Sequence, residues 1–365
     1  MQVPVSPLAG LSSIVALALL LACHDSQASR SSTVANVVPA APADSAAAQS
    51  GPSLPLALLA DVDLPGNAVR FDYQDFDPAK QHLVIAHMND DAVVVVNLDG
   101  SVAKVLPDVP TARGVVVADD VGRIFVTSSP NQLVIIDNDT LSEVTRVQTG
   151  RSPDGVGWDP AHRVVGVSDQ GDGAISLIAD SGSGARKQLA LGSETGNVVF
   201  DPGRAIFWIT VVTGTPPDQL IGVDPTAARV TEKIALPGCQ GAHGLRIHPD
   251  GKSAFIACED NDQLVRVELD GDHGVALGPT GGGPDVMSID PDLGWIYVAA
   301  EGGDLTVFDL TRPGVNLLGR DHPGDNAHSV AVDPVTHRVF FPLVKGSKGK
   351  PVLRIMQPSN LTQKG

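Results

Sequence analysis

Seven times between Asp77 and Asp333 the chain runs through one short pattern, an Asp-Pro-like turn bordered by apolar, β-branched segments. The turns begin at Asp77, Ala118, Asp159, Asp201, His248, Asp290 and Asp333, with gaps of 41, 41, 42, 47, 42 and 43 residues. A period of about 40–45 residues built from strands alone is the mark of a β-propeller blade. The spacing therefore predicts an all-β chain, a seven-bladed β-propeller of four-stranded antiparallel blades. Such a ring has one channel and two open faces, which limits where a site can lie.

The second blade shows the unit most plainly. Its strands are expected at Arg113–Ala118, Arg123–Ser129 (RIFVTSS), Gln132–Asn138 (QLVIIDN) and Glu143–Thr149, separated by Asp, Asn, Gly, Pro and Ser. That is strand and turn chemistry, without helical periodicity. The last blade supplies only three strands from the C-terminal end: His328–Val332, Arg338–Val344 and Pro351–Gln357. Upstream, Leu56–Val62 (LALLADV) leads into Leu64-Pro65-Gly66, and the same tripeptide follows the fourth blade's outer strand at Leu236-Pro237-Gly238. The N-terminal strand is thus expected to close the last blade as its outer edge, which removes the seam of the ring. The propeller is assigned to residues 56–357 and a polar C-terminal tail to 358–365.

The segment before the ring is different. Residues 1–22 contain an apolar stretch that ends in Leu20-Leu21-Ala22-Cys23, too short and too N-terminal for an ordinary spanning helix. It resembles a bacterial lipoprotein signal, with Cys23 as the lipidated first residue of the mature chain. Cleavage after Ser26-Gln27-Ala28 is the alternative and would release a soluble exported protein. Residues 23–55 are rich in Ala, Ser and Pro and are read as a flexible tether. The expected location is outside the cytoplasm, on an anchor facing the periplasm or the cell surface.

The formal net charge of −17 is spread along the chain, with no basic patch and no aromatic–basic interleaving, so nucleic acid is excluded as a partner class. Besides Cys23 the chain has two cysteines, Cys239 just before an inner strand and Cys258 at the end of the next. Antiparallel neighbours bring those ends together, and in an oxidising compartment a disulfide is the favoured reading. A thiolate metal pair near His243 is the alternative.

The repeat also locates candidate site residues. Five positions before each turn lie Asp72, Arg113, Asp154, Gly196, His243, Asp285 and His328. Six of these seven are polar where their strands are otherwise apolar, and equivalent strand starts must form a ring at one mouth of the channel. Ten positions after each turn lie the ends of the second strands, including His87 and Asp169, expected beside Asp72 and Asp154. The ligand-binding candidates are therefore Asp72, His87, Arg113, Asp154, Asp169, His243, Asp285 and His328. Imidazole and carboxylate together suit zinc or a similar divalent metal, with Asp72, His87, His243, Asp285 and His328 as candidate ligands. His–Asp neighbours also suit acid–base work, and polar strand starts at a solvated face can serve structure alone. No nucleophile elbow, phosphate loop, zinc-protease helix or haem attachment motif is present, and no catalytic residue is assigned. Trp158, Trp208 and Trp295 are expected to pack between blades.

Several of these segments match a known group. Phe71-Asp72-Tyr73 with Val84-Ile85-Ala86-His87, Ser152-Pro153-Asp154-Gly155, Gly241-Ala242-His243-Gly244, the Cys239/Cys258 pair, and the ending from His328-Ser329-Val330-Ala331-Val332-Asp333-Pro334 to His337-Arg338-Val339-Phe340-Phe341-Pro342-Leu343 carry the likeness. On them the chain resembles the bacterial YVTN-type, YncE-like seven-bladed propellers over residues 56–345. The resemblance implies the fold and export, often as a lipoprotein, and supplies no catalytic residues. The expected function is a lipid-anchored binding or scaffold module working through the polar channel mouth, as a monomer. Its partner would be an envelope protein, a cell-wall fragment, a small ligand or a metal ion, with membrane contact only through the lipid. Two alternatives use the same mouth: a metal-dependent hydrolase, lactonase or lyase, and a periplasmic zinc-binding or delivery protein.

Overall fold

A computed structural model describes residues 52–54 and 56–359. The expected signal peptide at 1–22, the lipidation candidate Cys23, the tether up to residue 51 and the tail from residue 360 lie outside the described residues.

The strands form seven antiparallel sheets of four strands each. In six of them the strands follow in chain order from the channel outward, named A to D below. The seventh is built from both ends of the propeller. Ala331–Asp333 is innermost, then Arg338–Leu343, then Val352–Pro358, and Leu56–Asp63 is outermost. The closing pair runs in register from Leu56 opposite Pro358 to Asp63 opposite Val352. Just upstream, the chain also touches the sixth blade: Leu54 N–H donates to Arg320 O at 3.2 Å, and Arg320 N–H donates to Pro52 O at 3.1 Å. The N-terminal segment therefore bridges two blades before it completes one.

The expected strand limits in the second blade hold to within two residues at each end, at Val115–Ala118, Arg123–Ser128, Gln132–Asp137 and Ser142–Gln148. In the last blade, strand A begins at Ala331 rather than at the expected His328. The residue that would pair with its start is Pro342, which has no N–H to give to the ladder.

The repeated aspartate has a physical role. Asp77, Asp159, Asp201, Asp290 and Asp333 are buried, and each accepts backbone N–H groups two or three residues on, as in Lys80 N–H to Asp77 Oδ1 at 2.8 Å. These Asx turns reverse the chain between strands A and B. Some also tie neighbouring blades: Asn138 Nδ2 donates to Asp77 Oδ2 at 2.7 Å, and His337 Nδ1 lies 2.7 Å from Asp290 Oδ2.

Seven apolar clusters fill the seven wedges between adjacent blades. Val84, Val93 and Val95 of the first blade, for example, meet Val115, Val126 and Val134 of the second. The tryptophans sit in these wedges as expected: Trp208 is fully buried, Trp158 stacks on Phe125 with centroids 5.5 Å apart, and Trp295 packs against the cluster between the sixth and seventh blades.

Cys239 and Cys258 form a disulfide across 19 residues, and both are buried in the wedge between the fourth and fifth blades. Closing a loop of that size restricts the unfolded chain by about 3 kcal/mol. Replacing both cysteines with alanine is expected to lower unfolding free energy by about that amount in urea titration, and reducing agent is expected to have no further effect on the double variant.

Candidate functional site

The mouth is made by an irregularity at the start of each inner strand. In the third blade Pro153 pairs with Asp169 and Val156 with Val167, so Asp154 and Gly155 together oppose Ser168. The same two-against-one step falls between Thr195 and Val198, between Ala242 and Leu245, and between Pro284 and Met287. In the first blade, Asp72 N–H donates to Ala86 O and Ala86 N–H donates to Tyr73 O, at 2.9 and 3.0 Å, so Ala86 faces two residues. Arg113 and Gly114 share Thr127 in the same way. These are β-bulges, which bend a strand and re-aim its side chains. The first bulge residue is in each case the residue marked by the repeat, polar in every one of these blades except the fourth, where it is Gly196.

The blades also approach one another closely there. A Cβ on Gly244 would lie 1.9 Å from the Asp285 carbonyl oxygen, and one on Gly196 would lie 2.7 Å from the Cα of His243. No side chain fits at either position, so the fourth blade gives the mouth its backbone alone. Hydroxyls complete the seam: Thr210 Oγ1 donates to His243 O at 2.6 Å and Thr127 Oγ1 to Asp154 O at 2.6 Å.

The bulge side chains converge on a cavity of about 340 Å³ lined by Arg70, Asp72, Tyr73, Met88, Asn89, Arg113, Asp154, Gln170, His243, Glu259, Asp285 and Glu301. Of the eight residues singled out from the sequence, the structure brings Asp72, Arg113, Asp154, His243 and Asp285 to this cavity. His328 lies beside it, with a ring nitrogen within 4.8 Å of a carboxylate oxygen of both Asp72 and Asp285. His87 and Asp169 are elsewhere. His87 stacks on Phe71 at 3.9 Å with Nδ1 3.6 Å from Asp90, away from the candidate metal group. Asp169 turns into its own sheet and accepts Gly150 N–H, Ser176 Oγ and Gln188 Nε2. The bulge explains both corrections, because the extra inner-strand residue changes which second-strand residue faces the mouth.

Arg70, Glu259, Glu301 and Gln170 were not anticipated. Three of them had a legible signal. Counting eleven positions past the turn instead of ten reaches Gln170, Glu259 and Glu301 at the start of the connection after strand B, and these line the cavity. Arg70 lies before the first inner strand, where the repeat gives no marker.

Charges in the mouth pair across the ring. Arg70 holds Glu301 with both terminal nitrogens, at 2.8 and 2.5 Å. Arg113 Nη1 donates to Gln170 Oε1 at 3.0 Å and lies 3.5 Å from Asp154. His243 Nε2 lies 3.2 Å from Asp154 and 3.7 Å from Asp285, and its Nδ1 lies 3.9 Å from Glu259. Burial alone would discharge the His243 ring, but Asp154, Asp285 and Glu259 outweigh it and raise its pKa well above the usual value. Asp154, opposed by burial but facing His243 and Arg113, is held below the usual carboxylate range. Burial pushes Asp285 up to about 7, with the His243 charge acting against it. Asp72 is raised well above its ordinary value by burial and by the charges of Asp154 and Asp285. His328 is fully buried, and burial and the Arg70 charge bring it down to about 4, a neutral imidazole at neutral pH. The mouth thus holds firmly ionised pairs beside carboxyl groups that bind protons readily.

Farther along the channel a second cavity of about 570 Å³ contains Asp75 and Arg246, and Tyr73 lines both cavities.

No protein-family model matches the chain, and no curated protein sequence is similar to it. Solved structures do match. A chain of the Kuenenia stuttgartiensis hydrazine synthase superposes with a TM-score of 0.67 at 17% identity, covering 81% of this chain and 97% of that one. Virginiamycin B lyase from Staphylococcus aureus gives 0.66 at 12% identity, covering 82% and 99%. A chain of the mitotic checkpoint complex gives 0.67 at 12% identity, covering 90% and 98%. Likeness at these identities shows the fold alone.

Asp75 accepts Val117 N–H from the second blade at 2.8 Å and Phe76 N–H at 3.0 Å, yet burial pushes it up to about 6. Its folded pKa therefore lies above its unfolded one. The stability it contributes is fully present below about pH 4 and is lost as pH rises through about 6. Relative to Asp75→Asn, the wild type is expected to lose roughly 2 kcal/mol between pH 4 and pH 7 in urea denaturation. Parallel stability curves for the two proteins would contradict this.

Proposed function

We propose that this chain is a binding module that receives a small polar ligand bearing an anionic group, such as a cell-wall fragment, in the mouth of its channel. One observation carries the reading: ionisable side chains from five of the seven blades surround one cavity of about 340 Å³. Collecting such groups out of water is costly unless they are paired or used. Arg113 is the guanidinium least committed to a carboxylate, since its nearest is 3.5 Å away, and its side chain is 28% exposed. It is the natural partner of a ligand carboxylate or phosphate. Among the described residues, the Tyr73 phenol is the only hydroxyl lining the cavity, and no thiol lines it. That favours binding over covalent catalysis by a serine, threonine or cysteine nucleophile.

The module works outside the cytoplasm, held by a lipid on Cys23. The run Leu20-Leu21-Ala22-Cys23 and the Cys239–Cys258 disulfide support this.

Calorimetry of the full chain against a panel of amino acids, short peptides and muropeptides tests the first part. At least one member is expected to bind, and Arg113→Ala is expected to weaken it by about 10-fold or more, the effect of losing a charged hydrogen bond. Equal binding by the variant, or no binding anywhere in the panel, overturns the reading. For the second part, Cys23→Ser is expected to move the protein from the membrane fraction of an expressing bacterium to the soluble one. An unchanged distribution refutes the anchor.

A further inference from the structure

Asp72, Asp285 and His328 are all buried, and one potential ligand atom from each lies within 4.8 Å of the other two. Two carboxylates so close together repel one another, and burial removes the water that would screen them. The nearest fixed cation, Arg70, is already held by both oxygens of Glu301. His328 adds an independent sign. Its Nδ1 lies 3.2 Å from Asn326 O, a contact that places the ring proton on Nδ1. Nε2 is buried and makes no hydrogen bond of good geometry, although the Phe71 backbone also lies close to the ring. A buried lone pair without a donor is an unfavourable arrangement for a protein to keep. An imidazole that donates through one nitrogen to a backbone carbonyl and presents the other is also how metal-ligating histidines are oriented. Tyr73 contributes in the same sense, its hydroxyl donating to Asp285 Oδ1 at 3.3 Å.

A second group, His243, Glu259 and Asp285, is also compact enough to be considered. It fits less well, because His243 is engaged by Asp154 at 3.2 Å and a protonated imidazole has no lone pair to offer.

We infer that Asp72, Asp285 and His328 form a binding site for one first-row divalent cation beside the channel mouth. Two carboxylates balance the charge of such an ion, and the mixed nitrogen and oxygen donor set suits zinc or manganese. The inference rests on the mouth being the working surface and gives it a fixed positive centre, next to Arg113, for an anionic ligand group.

The test is zinc and manganese titration of the metal-stripped full chain, read by calorimetry and by native mass spectrometry. One ion per chain is expected. His328→Gln and Asp72→Asn are each expected to weaken it by at least about 100-fold. His322, an exposed residue 3.0 Å from Asp304 and 3.4 Å from Asp325, marks the kind of surface cluster that binds zinc adventitiously. His322→Ala is expected to leave the stoichiometric ion in place. Absence of a stoichiometric ion overturns the inference, as does binding that survives both His328→Gln and Asp72→Asn or disappears in His322→Ala. If His328→Gln does not fold, Asp72→Asn decides alone. Arg113→Ala separates the two readings: it is expected to lose the mouth ligand and keep the ion. A protein that binds an organic ligand through Arg113 but takes up no ion would leave the binding reading standing without the metal.

Discussion

Everything at the mouth depends on the pairing of the two ends of the propeller. Leu56–Asp63 lies against Val352–Pro358, and the residues just before it reach the outer strand of the sixth blade. A repeat array that stayed open would leave the seventh blade with three strands and an unpaired edge. The inner strands at the seam would then be free to separate, and residues more than 200 positions apart would not share a cavity. Arg70 with Glu301, and Tyr73 with Asp285, are contacts of this kind, because each joins the first blade to the sixth across the seventh. The sheet edges thus fix the site through the ring, although no edge residue comes near it.

Much of this architecture is written locally. The blade period is readable because five of the seven turns carry a short side chain that accepts backbone N–H groups two or three residues on, from Asp77, Asp159, Asp201, Asp290 and Asp333. The polar start of each inner strand is readable because it interrupts an apolar run. What could not be read is the bulge. The bulges lie where neighbouring blades approach closely, as where Gly244 meets the Asp285 carbonyl, and a strand's own sequence does not describe what packs beside it. Missing the bulge shifted the second row of the mouth by one residue. The row lies one residue on from His87 and Asp169, at Met88 and Gln170, with Glu259 and Glu301 at the same step in the fifth and sixth blades. A one-residue slip in a strand changes the face of every side chain, so this small error in register became a complete error in chemistry. Arg70 was illegible for another reason: it has no equivalent in the other blades, so periodicity says nothing about it.

The charges of the mouth link several blades. His243 of the fifth blade reaches Asp154 of the third across the gap left by Gly196 in the fourth, and Arg113 of the second blade approaches the same Asp154. A larger residue at position 196 would fill that path. Buried pairs of this kind contribute little net stability, because the desolvation of each ion offsets most of the attraction. Their effect is on geometry: each carboxylate and cation has one favourable arrangement, and the arrangement spans several blades. Burial drives Asp285 up to about 7, and the one partly engaged imidazole of His243 opposes this without cancelling it. Asp154 captures the positive charge and stays ionised, while Asp285 and Asp72 are left short of it. The mouth is therefore divided into a neutralised half around Asp154 and a half around Asp72, Asp285 and His328 whose carboxyl groups favour either a proton or a cation. An added positive charge would be best accommodated in that second half.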